Sequence, residues 1–489
     1  MEWETFIKNI AGKQGLLPDE TETLLARFPS ENKKCQEKDL AKKFIITEDA
    51  VGKRMQLIYE KFDNLLPGLS KPRGAGKSNK LHQYLRQQFY QQNDPPISHP
   101  PQKLTTGFES LIEEKVKNFQ GREFVFDEFQ QFLTQKDRGY FVIIGEPGMG
   151  KSAIASKYTI DYQTIHYFND ISIGRTSLEQ FLTEFRQQLI QRFNIQDAEQ
   201  FDLSKLLQAI SEKYLNNEKE KKYEKLVLVV DALDEVQQEG AGNLLYLPYT
   251  LPKNVYFLMT RRPYSQEEKR FSVAPGLEQI LDLREEKYKM LTKNDIRGYI
   301  RCFITHDPEH CQNLQDWISK AGMTQEEFIE VLTEKSDYNF MYLRFVLPDI
   351  SKGYYPNLKS NELPKGLEEY YYKHWQRLGM DQPRNRLKAV VLAMLSVINK
   401  PVSAEAIANC TQNQTVYDVE DVLKSKDWMG FLRSYPYKGE ICYTLYHKSF
   451  ADFLSKQTVI KREANQLLDR YTDGFWDDNE GEDNNNEEE

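Results

Sequence analysis

Between Phe141 and Ser152 an uninterrupted apolar run, Phe141-Val142-Ile143-Ile144, passes directly into Gly145-Glu146-Pro147-Gly148-Met149-Gly150-Lys151-Ser152. Four consecutive β-formers leave no face for water, so the run predicts a strand buried on both sides, as in the middle of a parallel sheet. The Gly-x-x-x-x-Gly-Lys-Ser that follows predicts a tight loop whose backbone N–H groups face inward. The helix from Ala153 to Tyr158 would add its N-terminal amides, and an anion is the natural occupant of such a concavity. With this spacing the expected guest is the phosphate chain of a nucleotide. Gly145, Gly148, Met149, Gly150, Lys151, Ser152 and Ala153 are the candidate contacts. Lys151 would reach the β and γ oxygens, and the Ser152 hydroxyl would hold Mg²⁺. The competing reading is a plain glycine turn between strand and helix.

A loop of this kind does not imply hydrolysis, which needs acids at the same sheet edge. Leu226-Val227-Leu228-Val229-Val230 is a second strand with both faces apolar, and it ends in Asp231-Ala232-Leu233-Asp234-Glu235. Asp231, last on the strand, is placed to coordinate Mg²⁺ directly or through water. Asp234 or Glu235, a turn beyond, would orient or deprotonate an attacking water. A third strand, Asn254 to Met259, ends in Thr260-Arg261-Arg262-Pro263, where a cation can sense a γ-phosphate or simply terminate the strand. A helix over 127–133, a short strand over 164–168 and an amphipathic helix over 177–193 complete an alternation that predicts a mainly parallel sheet covered on both faces. Beyond Leu291 the periodicity is helical. Residues 385–455 give a helix, a turn at Pro401-Val402-Ser403, a second helix and a strand at Cys442-Tyr443-Thr444-Leu445, consistent with a winged helix.

Taken together these segments resemble the signal-transduction ATPases of the STAND class, in the NACHT branch. Phe119-Gln120-Gly121-Arg122-Glu123-Phe124 is similar to the Gly-Arg-Glu segment that lines the adenine pocket there, which implies base contacts for Gly121 and Arg122. The acidic turn at 231–235 resembles the branch's Asp-small-apolar-Asp-Glu form. Thr260-Arg261-Arg262-Pro263 matches its Thr-Ser-Arg-Pro sensor apart from Arg261, and so implies Arg262 as the sensor. Asn294-Asp295-Ile296, Asn339-Phe340-Met341-Tyr342 and Leu363-Pro364-Lys365-Gly366-Leu367 are similar to landmarks of the helical subdomain, with Pro364 a nucleotide contact. Tyr446-His447-Lys448-Ser449-Phe450 resembles the winged-helix motif whose histidine, here His447, touches the diphosphate and holds the closed state. From residues alone, one His on an apolar helix reads equally as ordinary packing. The resemblance spans about residues 115–475. It departs from the class in two ways: no period of 20–50 residues is present, and no enzymatic constellation stands upstream of Gly121.

The N-terminal region reads as a separate all-α unit ending at the Pro-rich linker Asp94 to Pro101. Pro18 to Phe28 predicts a helix, and Asp39 to Arg54 a helix-turn-helix with Thr47 capping its second helix. Glu48 and Asp49 open that helix, which disfavours a phosphate backbone beside it and favours a protein partner. Lys71, Arg73, Lys77, Lys80 and Arg86 argue for DNA. Gly74-Ala75-Gly76-Lys77-Ser78 imitates the end of a phosphate loop, but Lys71 stands where the first glycine belongs and no strand precedes it, so it reads as linker. Cys302, His306, His310 and Cys311 lie close in sequence, yet Pro308 should break the helix between them, and they do not read as a zinc site.

The formal charge of −9 resides in the last residues. Nine acids and no Lys or Arg follow Arg470, so residues 1–472 are neutral, and the tail is expected to be disordered. Five scattered cysteines, no signal-type N-terminus and no membrane-length apolar run point to a reduced, cytoplasmic setting without a membrane. The expected layout is an N-terminal adaptor at 1–90, a linker at 91–114, an α/β P-loop core at 115–290, a helical subdomain at 291–378, a winged helix at 379–472 and a tail at 473–489. The expected function is an ATP/ADP-operated, Mg²⁺-dependent switch that hydrolyses ATP slowly. It would form a homo-oligomer when activated, in bacterial defence or stress signalling. The alternative is a DNA-binding ATPase or transcription regulator, with Arg344 as a lid arginine.

Overall fold

The computed structural model describes residues 3–30, 35–66, 68–70, 77–93, 106–170, 174–196, 198–216, 225–238, 242–263, 271–355, 363–411, 414–437 and 440–479. The Pro-rich stretch from Asp94 to Pro101 and the lysine and arginine at 71 and 73 lie outside them.

Five helices come first: α1 (Trp3–Lys13), α2 (Pro18–Arg27), α3 (Glu37–Phe44), α4 (Glu48–Phe62) and α5 (Lys77–Asn93). They bury Trp3, Phe6, Phe28, Val51, Ile58 and Phe62 in a core of their own. The Trp3 indole donates to the Phe28 carbonyl at 2.8 Å, so the one polar atom of that ring is satisfied. Helices α3 and α4 meet at a turn in which Ile45 is left-handed (φ 56°), and Thr47 caps α4 by accepting from the Ala50 N–H at 3.2 Å. The segment from Lys77 onward, read from sequence as linker, is instead helical. Its Leu81 and Leu85 complete the N-terminal core, and that burial is what the glycine-rich lead-in concealed. Arg86 of α5 forms an ion pair with Asp127 of the next unit.

That unit opens with α6 (Glu109–Val116) and α7 (Glu123–Gln135). It continues through β1 (Gly139–Ile144), α8 (Lys151–Tyr162), β2 (Ile165–Phe168), α9 (Leu178–Phe193), α10 (Leu203–Ile210), β3 (Leu226–Asp231), β4 (Val255–Arg261) and β5 (Glu278–Asp282). The strand order is β2-β3-β4-β1-β5 and every pairing is parallel. Strands β1 and β3 are buried along their whole length, as their apolar runs require. Because β4 lies between them, the residues that end β4 stand between the glycine loop and the acidic turn. All five carboxyl ends share one edge, where ligands of open α/β sheets bind. Strand β5 escaped the sequence reading because it is a short edge strand with Glu278 and Ile280 exposed and so carries no apolar run.

The remainder consists of α11 (Glu286–His306), α12 (Cys311–Lys320), α13 (Gln325–Lys335), α14 (Phe340–Ser351) and α15 (Gly366–Arg377). After these come α16 (Arg386–Ile398), β6 (Val402–Ser403), α17 (Ala404–Cys410), α18 (Val416–Leu423), β7 (Leu432–Tyr437), β8 (Glu440–Leu445), α19 (Lys448–Ser455) and α20 (Thr458–Asn479). The three strands form an antiparallel sheet in the order β6-β8-β7. One continuous apolar core runs from Ile296 to Ala464, across the expected 378/379 boundary. The backbone of 473–479 continues α20 where disorder is expected; the apolar stripe of Ile460, Ala464, Leu467 and Leu468 anchors a helix that propagates into the acidic run. Residues 480–489 lie outside the described ones. Among the described residues no group of His, Cys, Asp and Glu is arranged to hold a metal ion by itself, and His310 stacks on Phe303 at 5.7 Å. No helix among them is long and apolar enough to cross a membrane.

Candidate functional site

A cleft of about 220 Å³ opens at the carboxyl edge of the sheet. Its walls come from the α/β core, from α11 and α14, and from the segment joining β8 to α19.

The glycine loop forms its floor. Gly148 (φ 83°) and Gly150 (φ 87°) adopt left-handed backbone that a side chain would strain, and Gly150 is the residue from which α8 starts. Lys151 is buried and folds back on its own loop, donating to the Gly145 carbonyl at 2.7 Å and the Glu146 carbonyl at 3.0 Å. Burial pushes its ammonium down to about 8; the carboxylates of Asp234 and Asp231 oppose that shift and Arg262 adds to it.

Asp231 is fully buried and receives the Ser152 and Thr260 hydroxyls, which brings the two expected Mg²⁺ residues into direct contact. Burial raises its pKa, and those two hydroxyls pull it back. Its backbone carbonyl is held by the Asn169 side chain at 2.7 Å. Immediately after it, Ala232 turns left-handed (φ 54°), its N–H donating to the Thr260 hydroxyl at 3.0 Å. A non-glycine residue there costs about 1 kcal/mol; the kink swings Asp234 and Glu235 over the sheet edge, where both line the cleft.

Arg262 is gripped from two sides. Its backbone N–H donates to Asp234 at 3.0 Å and its Nε lies 3.1 Å from the same carboxylate, while Nη1 donates to Asp452 of α19 at 2.9 Å. Arg261 ends β4 and donates to the Arg262 carbonyl at 3.2 Å; of the two arginines, Arg262 lines the cleft. Opposite stands His447, the residue that caps α19. Its Nδ1 accepts the Ser449 N–H at 3.2 Å, which leaves the proton of the neutral ring on Nε2. Burial holds this imidazole well below its ordinary range, reinforced by Lys115, Arg262, Lys151 and Arg344, so it stays neutral among cations.

Arg122 is 2% exposed and left-handed (φ 68°). Its guanidinium donates to the Met149 carbonyl at 2.7 Å and to Thr292 at 3.0 Å and lies 5.0 Å from the centre of the Phe340 ring. It therefore ties the glycine loop to α11 and α14. Asp295 accepts the Arg122 N–H at 3.1 Å; burial pushes its carboxyl up to about 7 against the pull of Arg122. Gly121 does not line the cleft: its α-carbon abuts Asp295, where a methyl group would fall 2.0 Å from Oδ1. Pro364 likewise lies off the cleft, its carbonyl accepting the Tyr342 hydroxyl at 2.7 Å in the core beneath α14. Gly145 and Met149 act through their carbonyls rather than as lining, whereas Gly148, Gly150, Lys151, Ser152, Ala153, Arg122 and His447 all face the cavity.

Several wall residues went unread in the sequence. Asn169 and Asp170 follow β2 as Asp234 and Glu235 follow β3, so the rule applied to β3, polar groups at the end of a buried strand, would have found them. Glu114 of α6 had no such signal. It accepts from Arg344 at 2.7 Å, from Arg433 at 2.6 Å and from the Tyr446 hydroxyl at 2.6 Å, joining segments more than 200 residues apart in sequence.

A family model described as Nephrocystin 3, N-terminal, matches residues 122–262, the stretch from the buried arginine to the end of β4. No curated protein sequence matches the chain. Among solved structures, that of Drosophila ORC bound to DNA is 11% identical at a TM-score of 0.34, covering 72% of this chain and 98% of its own. The Thermotoga maritima RuvB Holliday junction branch migration motor is 13% identical at a TM-score of 0.26, covering 68% and 95%. The chain's own strand order and glycine loop establish a parallel α/β core of the P-loop ATPase kind, followed by helical regions.

Proposed function

We propose that this protein is an ATP- and ADP-binding switch of the STAND class, NACHT branch, in which the C-terminal α-plus-β domain acts as a winged helix closing the nucleotide cleft. The observation that carries the reading is Arg262. The arginine best placed to sense a γ-phosphate is shared between Asp234 of the core and Asp452 of the C-terminal domain. Nucleotide state and domain closure therefore meet at one side chain. The order helix, strand, helix, helix, hairpin over α16 to β8 is the one a winged helix needs, and it supports the assignment.

In this reading the loop amides and Lys151 hold the phosphates, with the N-terminus of α8 behind them. Ser152 and Asp231 would hold Mg²⁺. One buried carboxylate and one hydroxyl suit an ion that takes its other ligands from water and phosphate. When bound, the ion neutralises charge on the β and γ oxygens. Asp234, which also holds Arg262, and Glu235 both line the cleft, and either would orient or deprotonate water. The Nε2–H of His447 donates to the diphosphate and favours the closed form. Opening would expose surfaces for homo-oligomerisation, with the N-terminal helices engaging a protein partner, in a cytoplasmic defence or stress response.

A DNA-directed ATPase is favoured by one observation: Arg344 lines the cleft, as a lid arginine would. Against it, α18, the helix a winged helix would offer to DNA, exposes Tyr417, Asp418 and Asp421, and α4 opens with Glu48 and Asp49. These acids disfavour a phosphate backbone beside them. Denaturing the purified protein and chromatographing the released nucleotide separates the readings. Tightly held ADP supports the switch; an empty site with fast, DNA-stimulated ATP turnover overturns it.

A further inference from the structure

We infer that Asn339 is a positioning residue that holds the crest of the glycine loop in its phosphate-binding shape. The inference rests on reading residues 145–152 as a phosphate loop.

Two consecutive non-glycine residues, Asp337 (φ 49°) and Tyr338 (φ 59°), are left-handed just before Asn339. Such a pair is disfavoured and persists only where surrounding contacts hold it. What the turn achieves is delivery of Asn339 and the start of α14 to the loop. The Asn339 Nδ2 donates to the Pro147 carbonyl at 2.8 Å, and the Phe340 N–H donates to the Gly148 carbonyl at 2.9 Å. At the same time Oδ1 accepts the Tyr342 N–H at 3.2 Å, so the amide is used at both ends and has one consistent orientation. The approach is close: a methyl group on Gly148 would fall 2.2 Å from Oδ1, which gives a second reason for glycine there.

The consequence follows from peptide geometry. In a trans peptide the C=O and the next N–H point in opposite directions. Holding the Pro147 carbonyl outward turns the Gly148 N–H to the opposite side, and holding the Gly148 carbonyl outward does the same for Met149. The Met149 N–H now makes a long 3.3 Å bond to the Glu146 carbonyl, one that a phosphate oxygen can take over. Asn339 thus acts on phosphate through the loop rather than by touching the ligand.

A purely structural role would be that of a cap for α14, and the two roles separate by substitution. Serine caps a helix about as well as asparagine but is too short to reach Pro147. Asn339→Ser should leave the thermal midpoint close to that of the full-length parent and weaken binding of Mg²⁺ and a fluorescent ADP analogue about tenfold. Asn339→Asp, isosteric and capping but unable to donate, should do the same and serves if the serine variant does not fold. Parent-like affinity in a folded Asn339→Ser variant overturns the inference and leaves the phosphate-loop reading intact. Failure of the parent protein itself to bind the analogue overturns both.

Discussion

Glu114→Gln tests whether the arrangement of α6 against α14 and β7 depends on a single partly buried carboxylate. Burial opposes the Glu114 charge, yet the Tyr446 hydroxyl, Arg433, Lys115 and Arg344 together hold its pKa down at about 2, from an ordinary 4.5. Taken at full weight, that difference corresponds to roughly 3.4 kcal/mol. The side chain is 32% exposed, so solvent screening reduces the expectation to about 1–2 kcal/mol. Glutamine keeps the shape and one acceptor but loses the charge. Arg433 retains Asp170 at 3.3 Å, whereas Arg344 loses its carboxylate. For a cooperative unit of a couple of hundred residues the midpoint should fall by roughly 2–8 °C.

The pH dependence supplies an internal check. The folded-state pKa is depressed, so the stabilisation is complete above about 4.5 and is lost as pH falls toward about 2. The gap between parent and variant in denaturant or thermal unfolding should therefore be full at pH 7 and close progressively below pH 4.5. Because Glu114 joins α6, α14 and β7, light scattering should also show more self-association by the variant when ATP is present. Equal stability at pH 7, or a gap of the same size at pH 3, would refute the reasoning.

Lys151 gives a prediction of opposite sign. Its folded pKa of about 8 lies below the ordinary 10.5, so the unfolded chain binds more protons between those values and stability rises with pH across that window. An arriving phosphate favours the ammonium, and ADP binding near pH 9 should take up a proton that binding near pH 7 does not; calorimetry in buffers of different ionisation heat reads this directly, and zero uptake at pH 9 counts against a buried lysine. Glu235→Gln should retain ATP while turnover falls about a hundredfold or more, and undiminished turnover would move the water-activating role to Asp234. His447→Ala should loosen ADP about tenfold and promote assembly; unchanged ADP affinity would return the histidine to a packing role.

The sequence made the floor of the cleft legible because the physics there is local. A strand buried on both faces, a loop with forced glycines and acids at a strand end each leave a short, contiguous trace. The walls depend on contacts between distant segments, and these leave none. Glu114 meets Arg433 across 319 residues, and Asp452 meets Arg262 across 190. Gly121 and Pro364 show the reverse case, expected contacts that do not line the cleft. Their motifs were recognised, but tertiary packing turned Gly121 against Asp295 and Pro364 under Tyr342. Strand β5 and the helical start of the tail were missed for a related reason: edge strands and propagated helices need little apolar signal of their own.

A common pattern runs through the cations around the cleft. Lys151 is held by carbonyls of its own loop, Arg262 by Asp234 and Asp452, Arg344 by Glu114, and Arg122 by Met149, Thr292 and Asp295. A polyphosphate entering this site must exchange these partners for its own oxygens, so the net gain is far smaller than bare contact energies would give. The exchange is not equivalent for two and three phosphates. In the proposed switch a diphosphate would engage the loop, Lys151 and His447 and leave Arg262 with Asp452, keeping α19 in place. A third phosphate reaching the end of β4 would compete with Asp452 for the same guanidinium, and each tenfold preference for an open form would shift the equilibrium by about 1.4 kcal/mol. Asp452 is half exposed, so its hold is worth about 1 kcal/mol or less. On the proposed reading this contact would be weak enough for one phosphate to displace it, while the Glu114 junction would remain for a trigger to overcome.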